Sequence, residues 1–163
     1  MKIFYVHHAL RNMGNPPSQE DGLKEVGVED AEIVSKIFEE GKKHFDIKAI
    51  YTSSFFRCKE TARIINKTLN VPIIEDGRLN EFGSFHNDER KETWEECQKR
   101  IIEAIKDIVF KYDKKDTVLC VTSGVNLTAF ISLAYKIEPN NNLPFPMVPS
   151  CSPLGFEITR NDF

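Results

Sequence analysis

The sequence predicts a three-layer α/β/α sandwich around a mostly parallel sheet, and three observations carry that prediction. Short runs of apolar, β-branched and aromatic residues alternate with longer segments whose apolar residues recur every three or four positions. Two of the short runs, Ile3–Val6 and Thr117–Val121, are apolar on both sides of the chain, as strands covered on both faces are. No repeat, low-complexity stretch or interdomain linker divides the 163 residues, so residues 1–163 read as one domain with room for a substantial core.

The elements follow in order. Ile3–Val6 makes a buried strand that stops at His7-His8, and Asn12 to Gly22 is polar loop. From Asp30 a helical period begins, with Val34, Ile37, Phe38, Gly41 and Phe45 on one face and Glu and Lys opposite. Asp46–Lys48 reads as a turn and Ala49–Thr52 as a second strand, closed by Ser53-Ser54. Either serine is suited to cap the helix expected from about Phe55 to Leu69. Val71–Ile74 reads as an edge strand, because Pro72 removes a ladder donor. Glu75–Arg90 is polar and irregular. A long helix is expected from about Glu92, with Trp94, Cys97, Ile101, Ile105, Ile108 and Tyr112 along it. After the charged turn Asp113–Asp116 comes the most strand-like run, Thr117–Val121, punctuated by Thr122-Ser123-Gly124. Val125–Ile137 is an apolar helix, Pro139–Pro149 a loop, and Gly155–Thr159 a last strand.

Composition narrows the function. A formal charge of -3 leaves no basic excess, which argues against nucleic acid as a partner, while a local arginine cluster still suits a small anion. The four cysteines are scattered, with no Cys-x-x-Cys pair for zinc or redox work; Cys97 and Cys120 read as small core residues. The opening apolar run is too short for a signal peptide, and charges interrupt the later ones before any could span a membrane. A cytoplasmic location with no membrane partner is the expectation.

Three strand ends compete as a site: His7-His8, Ser53-Ser54 and Thr122-Ser123-Gly124. Ligands of open α/β sheets gather beyond the carboxyl ends of the strands, so parallel neighbours would bring these turns to one crevice. Arg57 falls in the first turn of a helix, where the dipole disfavours a cation unless an anion is bound there. The competing readings are a hydrogen-bonded structural histidine and a solvated surface arginine.

These residues resemble a family. Phe4-Tyr-Val-His-His-Ala9 looks like the Val-Arg-His-Gly signature of the histidine phosphatase (phosphoglycerate mutase-like) superfamily. Leu23-Lys-Glu-Val-Gly27 with Ala31 is similar to its Leu-Thr-x-x-Gly…Ala segment, and Ser53 to Ala62 to its Ser-x-x-x-Arg-x-x-x-Thr-Ala segment. Arg78-Leu-Asn-Glu-Phe-Gly83 resembles its acid loop, and Val118–Gly124 falls where the family has a strand followed by Ser-His-Gly. The resemblance spans nearly the whole chain, in the family's order, and implies the phosphoglycerate mutase-like fold.

Carried over, the resemblance implies that His8 is the nucleophile taking the phosphoryl group, with a backbone carbonyl holding the proton of its other nitrogen. Arg57 matches the arginine that grips phosphate oxygens, and Glu81 the acid that protonates the leaving oxygen. Arg11 falls where some members carry His-Gly-Glu-Arg; it is a second guanidinium or a solvated loop residue. The departures are His7 in place of the signature arginine, Ser123 in place of the second catalytic histidine, and Ala9 in place of glycine. Each lost preorganised donor typically costs about 10²–10³ in rate. Compensation is available in principle from Arg11, from a protonated His7 or from His86. The expectation is a phosphate-monoester hydrolase working through a phosphohistidine on His8, weakened by the His7 and Ser123 replacements. The alternative is an inactive member that binds a phosphorylated ligand. The substrate expected is a phosphorylated small molecule or phosphorylated side chain, with no cofactor and no metal. A metal site built from His7, His8 and His86 is disfavoured, because adjacent strand residues point to opposite faces.

Overall fold

The computed structural model describes residues 1–14, 18–83, 92–144 and 148–163. Among them the strands are β1 (Lys2–His7), β2 (Asp46–Thr52), β3 (Ile73–Glu75), β4 (Asp116–Thr122) and β5 (Pro153–Glu157). The α-helices are α1 (Glu25–Glu40), α2 (Phe56–Leu69), α3 (Trp94–Lys111) and α4 (Leu127–Tyr135). The strands form one sheet in the order β3-β2-β4-β1-β5, in which only β5 runs antiparallel to its neighbour. The three-layer α/β prediction holds, and its centre is β4, buried at every position.

Strand alternation decides which residues meet which helices. Ile3, Tyr5, Val118 and Cys120 point to one face and pack with Ile101, Ile105 and Ile108 of α3 and with Phe130 of α4. Val6, Leu119, Val121 and Ile50 point to the other and pack with Ala31, Val34 and Phe38 of α1 and with Ala62 and Ile65 of α2. The continuous apolar runs in β1 and β4 are therefore two half-strands of core interleaved, one for each layer.

Several boundaries differ from the sequence reading. Helix α1 begins five residues before Asp30 and ends at Glu40, so Phe45 lies beyond it. Its buried face is Gly27, Ala31, Val34, Ser35 and Phe38, while Ile37 is 52% exposed. Small residues set that face: a Cβ on Gly27 would lie 2.3 Å from the Leu10 carbonyl oxygen, so the helix rests on the backbone that follows β1. Asp46–Lys48 is not a turn but the start of β2, paired with β4 through a register shift between Ile47 and Ala49. Neither Ser53 nor Ser54 caps α2, whose N-cap is Phe55. Both serine amides are engaged elsewhere, Ser53 N–H on the Val121 carbonyl and Ser54 N–H on Asn80 Oδ1. A 3₁₀ turn at Gly124–Asn126 precedes α4, and β5 lies two residues earlier than Gly155–Thr159.

Candidate active site

Because β2, β4 and β1 are consecutive parallel neighbours, their carboxyl ends place Ser53, Ser123 and His8 along one edge. His8 is the first residue past β1, and its N–H still donates to the Thr122 carbonyl at 2.9 Å. The Nδ1 of His8 is 2.9 Å from the Ala9 carbonyl oxygen, which only an N–H can face, so the hydrogen-bond network assigns the Nδ1–H tautomer. Nε2 is then the acceptor, and it receives Arg57 Nε–H at 3.1 Å. At its other end the same guanidinium donates from Nη2 to Glu81 Oε2 at 2.6 Å.

The result is a row: carbonyl, imidazole, guanidinium, carboxylate. His8 and Arg57 are buried, while the Glu81 side chain is 34% exposed at the outer end. Arg57 is no solvated surface arginine; it is 2% exposed and stacks over the Phe55 ring at 4.4 Å. Thr61, one helical turn after Arg57, locks the two halves together. Its hydroxyl donates to the Arg57 carbonyl and accepts from the Ala9 amide.

Burial pushes the His8 pKa down from the ordinary 6.5 to about 3, helped by the neighbouring His7 and by Arg57 and Arg11 against the Ala9 carbonyl. His8 is thus a neutral imidazole through the physiological range. Its lone pair points at the cation.

The structure changes the picture of His7. Its ring lies edge-on to that of His8 with centroids 4.6 Å apart, so the two histidines do not point to opposite faces. The alternation rule fails because His8 has already left the strand. The Nδ1 of His7 lies 3.2 Å from the carbonyls of both Val148 and Pro149. Its ring covers Gly124, where a Cβ would come within 3.1 Å of it. Burial lowers its pKa, opposed by those two carbonyls and by Glu81. A neutral His7 cannot supply an arginine's charge.

Arg11 ion-pairs with Asp21 at 3.3 Å and is bridged through its backbone to Leu23; its charge reaches His8, but it makes no bond within the row. Ser123 is 1% exposed and its Oγ has no hydrogen-bond partner among the described residues, while its carbonyl accepts from the Tyr5 hydroxyl at 2.8 Å. His86 lies outside the described residues. Among the described residues no cluster of His, Cys, Asp and Glu is arranged to hold a metal, and no helix is long and apolar enough to cross a membrane. The sequence reading assigned no role to Tyr5, Asn80, Arg100 or Asn126. Only Thr61, four residues from Arg57 on the same helical face, carried a usable spacing signal.

A parallel sheet whose strand ends assemble imidazole, guanidinium and carboxylate defines an α/β protein with its site at the carboxyl edge. The chain belongs to the histidine phosphatase superfamily (branch 1), whose family model matches residues 17–91 and 83–163. That match begins after His7-His8. Among solved structures, the chain is similar to Bacillus stearothermophilus YhfR, with 24% identity over 94% of this chain and 89% of that one, at a TM-score of 0.74. It is also similar to the protein histidine phosphatase SixA solved with tungstate, with 13% identity over 99% and 91%, TM-score 0.74. A third is the ecdysone phosphate phosphatase from Bombix mori, with 17% identity over 94% and 88%, TM-score 0.70. These likenesses confirm the phosphoglycerate mutase-like fold. No curated protein matches in sequence.

Proposed function

We propose that the protein is a phosphate-monoester hydrolase that passes the phosphoryl group through His8. One observation carries this reading: a fully buried guanidinium touches, at opposite ends, the lone pair of a neutral imidazole and a carboxylate. An oxyanion that takes over Arg57 is then flanked by a nucleophile and an acid. As the phosphate displaces Glu81 from Arg57, the proton of the ester monoanion passes to the freed carboxylate; Nε2 of His8 then attacks phosphorus, the P–O ester bond breaks, and Glu81 delivers that proton to the departing oxygen. Water then attacks phosphorus, Glu81 takes its proton, the P–N bond to Nε2 breaks, and inorganic phosphate leaves with His8 restored. Proteins of this fold act, by their names, on phosphohistidine and on ecdysone phosphate, which is consistent with a phosphorylated small molecule or side chain here.

Hydrolysis of p-nitrophenyl phosphate by the native protein and by His8→Asn tests the nucleophile, together with acid-labile, base-stable label on the native chain after quenching from a labelled ester. Hydrolysis undiminished in His8→Asn removes His8 from the mechanism.

A second reading, a phosphate-binding member without turnover, is favoured by one specific observation. Neutral His7 and uncharged Ser123 stand where the family has charged donors. The double change His7→Arg with Ser123→His distinguishes the two. If the row is otherwise competent, kcat rises by about 10²-fold or more, the worth of one restored donor. No rise in a folded protein supports the binder.

A further inference from the structure

Glu81 is the outermost member of the row, and the backbone that leads into it is held by Asn126 and Arg100. We propose that Asn126 and Arg100 are positioning residues that clamp the Asn80–Glu81 peptide and so aim the Glu81 carboxyl at the leaving oxygen. This inference rests on Glu81 acting as the proton donor.

The bonds are specific. Asn126, 0% exposed, directs its Nδ2 at the Leu79 carbonyl (2.9 Å), the Asn80 carbonyl (3.1 Å) and Thr122 Oγ1 (2.7 Å). Thr122 spends its own proton on the Leu79 carbonyl at 2.5 Å, which leaves its oxygen free to accept. Carbonyl oxygens accept only, so the amide must face them with its NH₂ and not its oxygen. Arg100 donates from Nη1 to the carbonyls of Arg78 (2.5 Å) and Asn80 (3.0 Å), and its other edge is held by Glu92 at 2.7 and 2.9 Å. The Asn80 side chain is tied in turn, its Oδ1 accepting from Ser54 N–H at 2.8 Å.

Three consecutive carbonyls, of Arg78, Leu79 and Asn80, are therefore all engaged by side-chain donors from α3, from the end of β4 and from the turn after it. The turn after β2 holds the Asn80 side chain. The next residue is Glu81. Asn126 serves this arrangement at a cost to itself, since its buried Oδ1 has no hydrogen-bond partner among the described residues. The end that is satisfied is the one facing the acid loop.

The test uses leaving-group dependence, because a proton donor matters most when the departing oxygen is strongly basic. Rates on phenyl phosphate and p-nitrophenyl phosphate are compared for the native protein, Glu81→Gln, Asn126→Leu and Arg100→Met. Glu81→Gln should lower kcat on phenyl phosphate at least about tenfold more than on p-nitrophenyl phosphate. Asn126→Leu and Arg100→Met should shift the ratio in the same direction, and Arg100→Lys, which keeps one donor, should recover part of it. An equal fall on both esters in the Asn126 and Arg100 variants, or no fall, overturns the positioning role. A Glu81→Gln protein with an unchanged ratio overturns instead the assignment of Glu81. A crystal structure of Asn126→Leu supplies a readout that needs no turnover. The Arg57–Glu81 contact should open beyond hydrogen-bond reach, and its retention at 2.6 Å refutes the clamp.

Discussion

A neutral, buried His8 makes a prediction about stability as well as reactivity. The imidazole titrates at an ordinary 6.5 in the unfolded chain and at about 3 in the folded one. Protons therefore favour the unfolded chain between those values. Full stability is present above 6.5, and it drains away as pH falls through that window. At about pH 5 the unfolded imidazole is roughly 1.5 units below its pKa, which at about 1.36 kcal/mol per unit is a loss of about 2 kcal/mol. Any folded value of about 4 or lower gives the same figure, because the folded imidazole is still unprotonated there. Near pH 3 the loss levels off at about 5 kcal/mol. Urea unfolding at about pH 7.5 and pH 5 measures it, with His8→Asn as the reference that cannot titrate. Asp21, Asp76 and Asp162, whose pKa values are also lowered, are common to both proteins and cancel in the difference. The native protein should lose about 2 kcal/mol more than the variant between the two pH values. Equal losses, within about 0.5 kcal/mol, would refute the claim that His8 is folded in the neutral form. The same premise says that an acid limb of kcat/KM between about pH 5 and 7 cannot come from protonating His8.

Two further substitutions probe the site and its support. Arg57→Met should lower kcat/KM on p-nitrophenyl phosphate by about 10²–10³, or about 3–4 kcal/mol, and cost about 1–3 kcal/mol in urea unfolding, because buried Nε2 of His8 loses its donor. Methionine fills the space over Phe55 and Glu81 is exposed enough to hydrate, so the stability cost falls on His8; a folded variant with native kcat/KM would contradict the assigned grip. Gly27→Ala should cost about 1–3 kcal/mol in urea unfolding and depress kcat, because its Cβ meets the Leu10 carbonyl at 2.3 Å, two residues from His8. An unshifted unfolding midpoint would mean that α1 does not press on that backbone.

How much of this the sequence discloses depends on whether a residue's role is local. The sheet's centre was legible because Thr117–Val121 and Ile3–Val6 are apolar on both sides, a local pattern with one outcome. Arg57 was legible as an anomaly, a cation at the positive end of a helix dipole. The extent of α1 was not legible, since Gly27 and Ala31 bury a face through smallness, which a search for large apolar residues passes over. Ile37 was misplaced for the same reason. Ser53 and Ser54 carried a capping signal that tertiary hydrogen bonds to Val121 and Asn80 overrode. The pairing of His7 with carbonyls more than 140 residues away has no local signature at all. Nor do Asn126 and Arg100, which act on the backbone of a distant loop.

The resting site is self-neutralised, one guanidinium against one carboxylate, and that balance separates an enzyme from a binder. A pocket built only to hold phosphate gains nothing from Glu81, because its carboxylate occupies an edge of Arg57 that the ligand's oxygens would use. A hydrolase gains the proton donor, and accepts weaker ground-state binding in exchange for an interaction made as the ester bond breaks. Glu81→Gln should therefore have opposite effects on binding and on turnover. The pair is one-third exposed on the acid side, which limits its worth to about 1 kcal/mol, so inorganic phosphate should bind roughly fivefold more tightly to the variant. Turnover of phenyl phosphate should fall by about 10²-fold or more. Isothermal titration with phosphate and steady-state kinetics read the two quantities separately. Weaker phosphate binding in Glu81→Gln would show that the carboxylate assists the anion, and the opposition between grip and chemistry proposed for this site would be wrong.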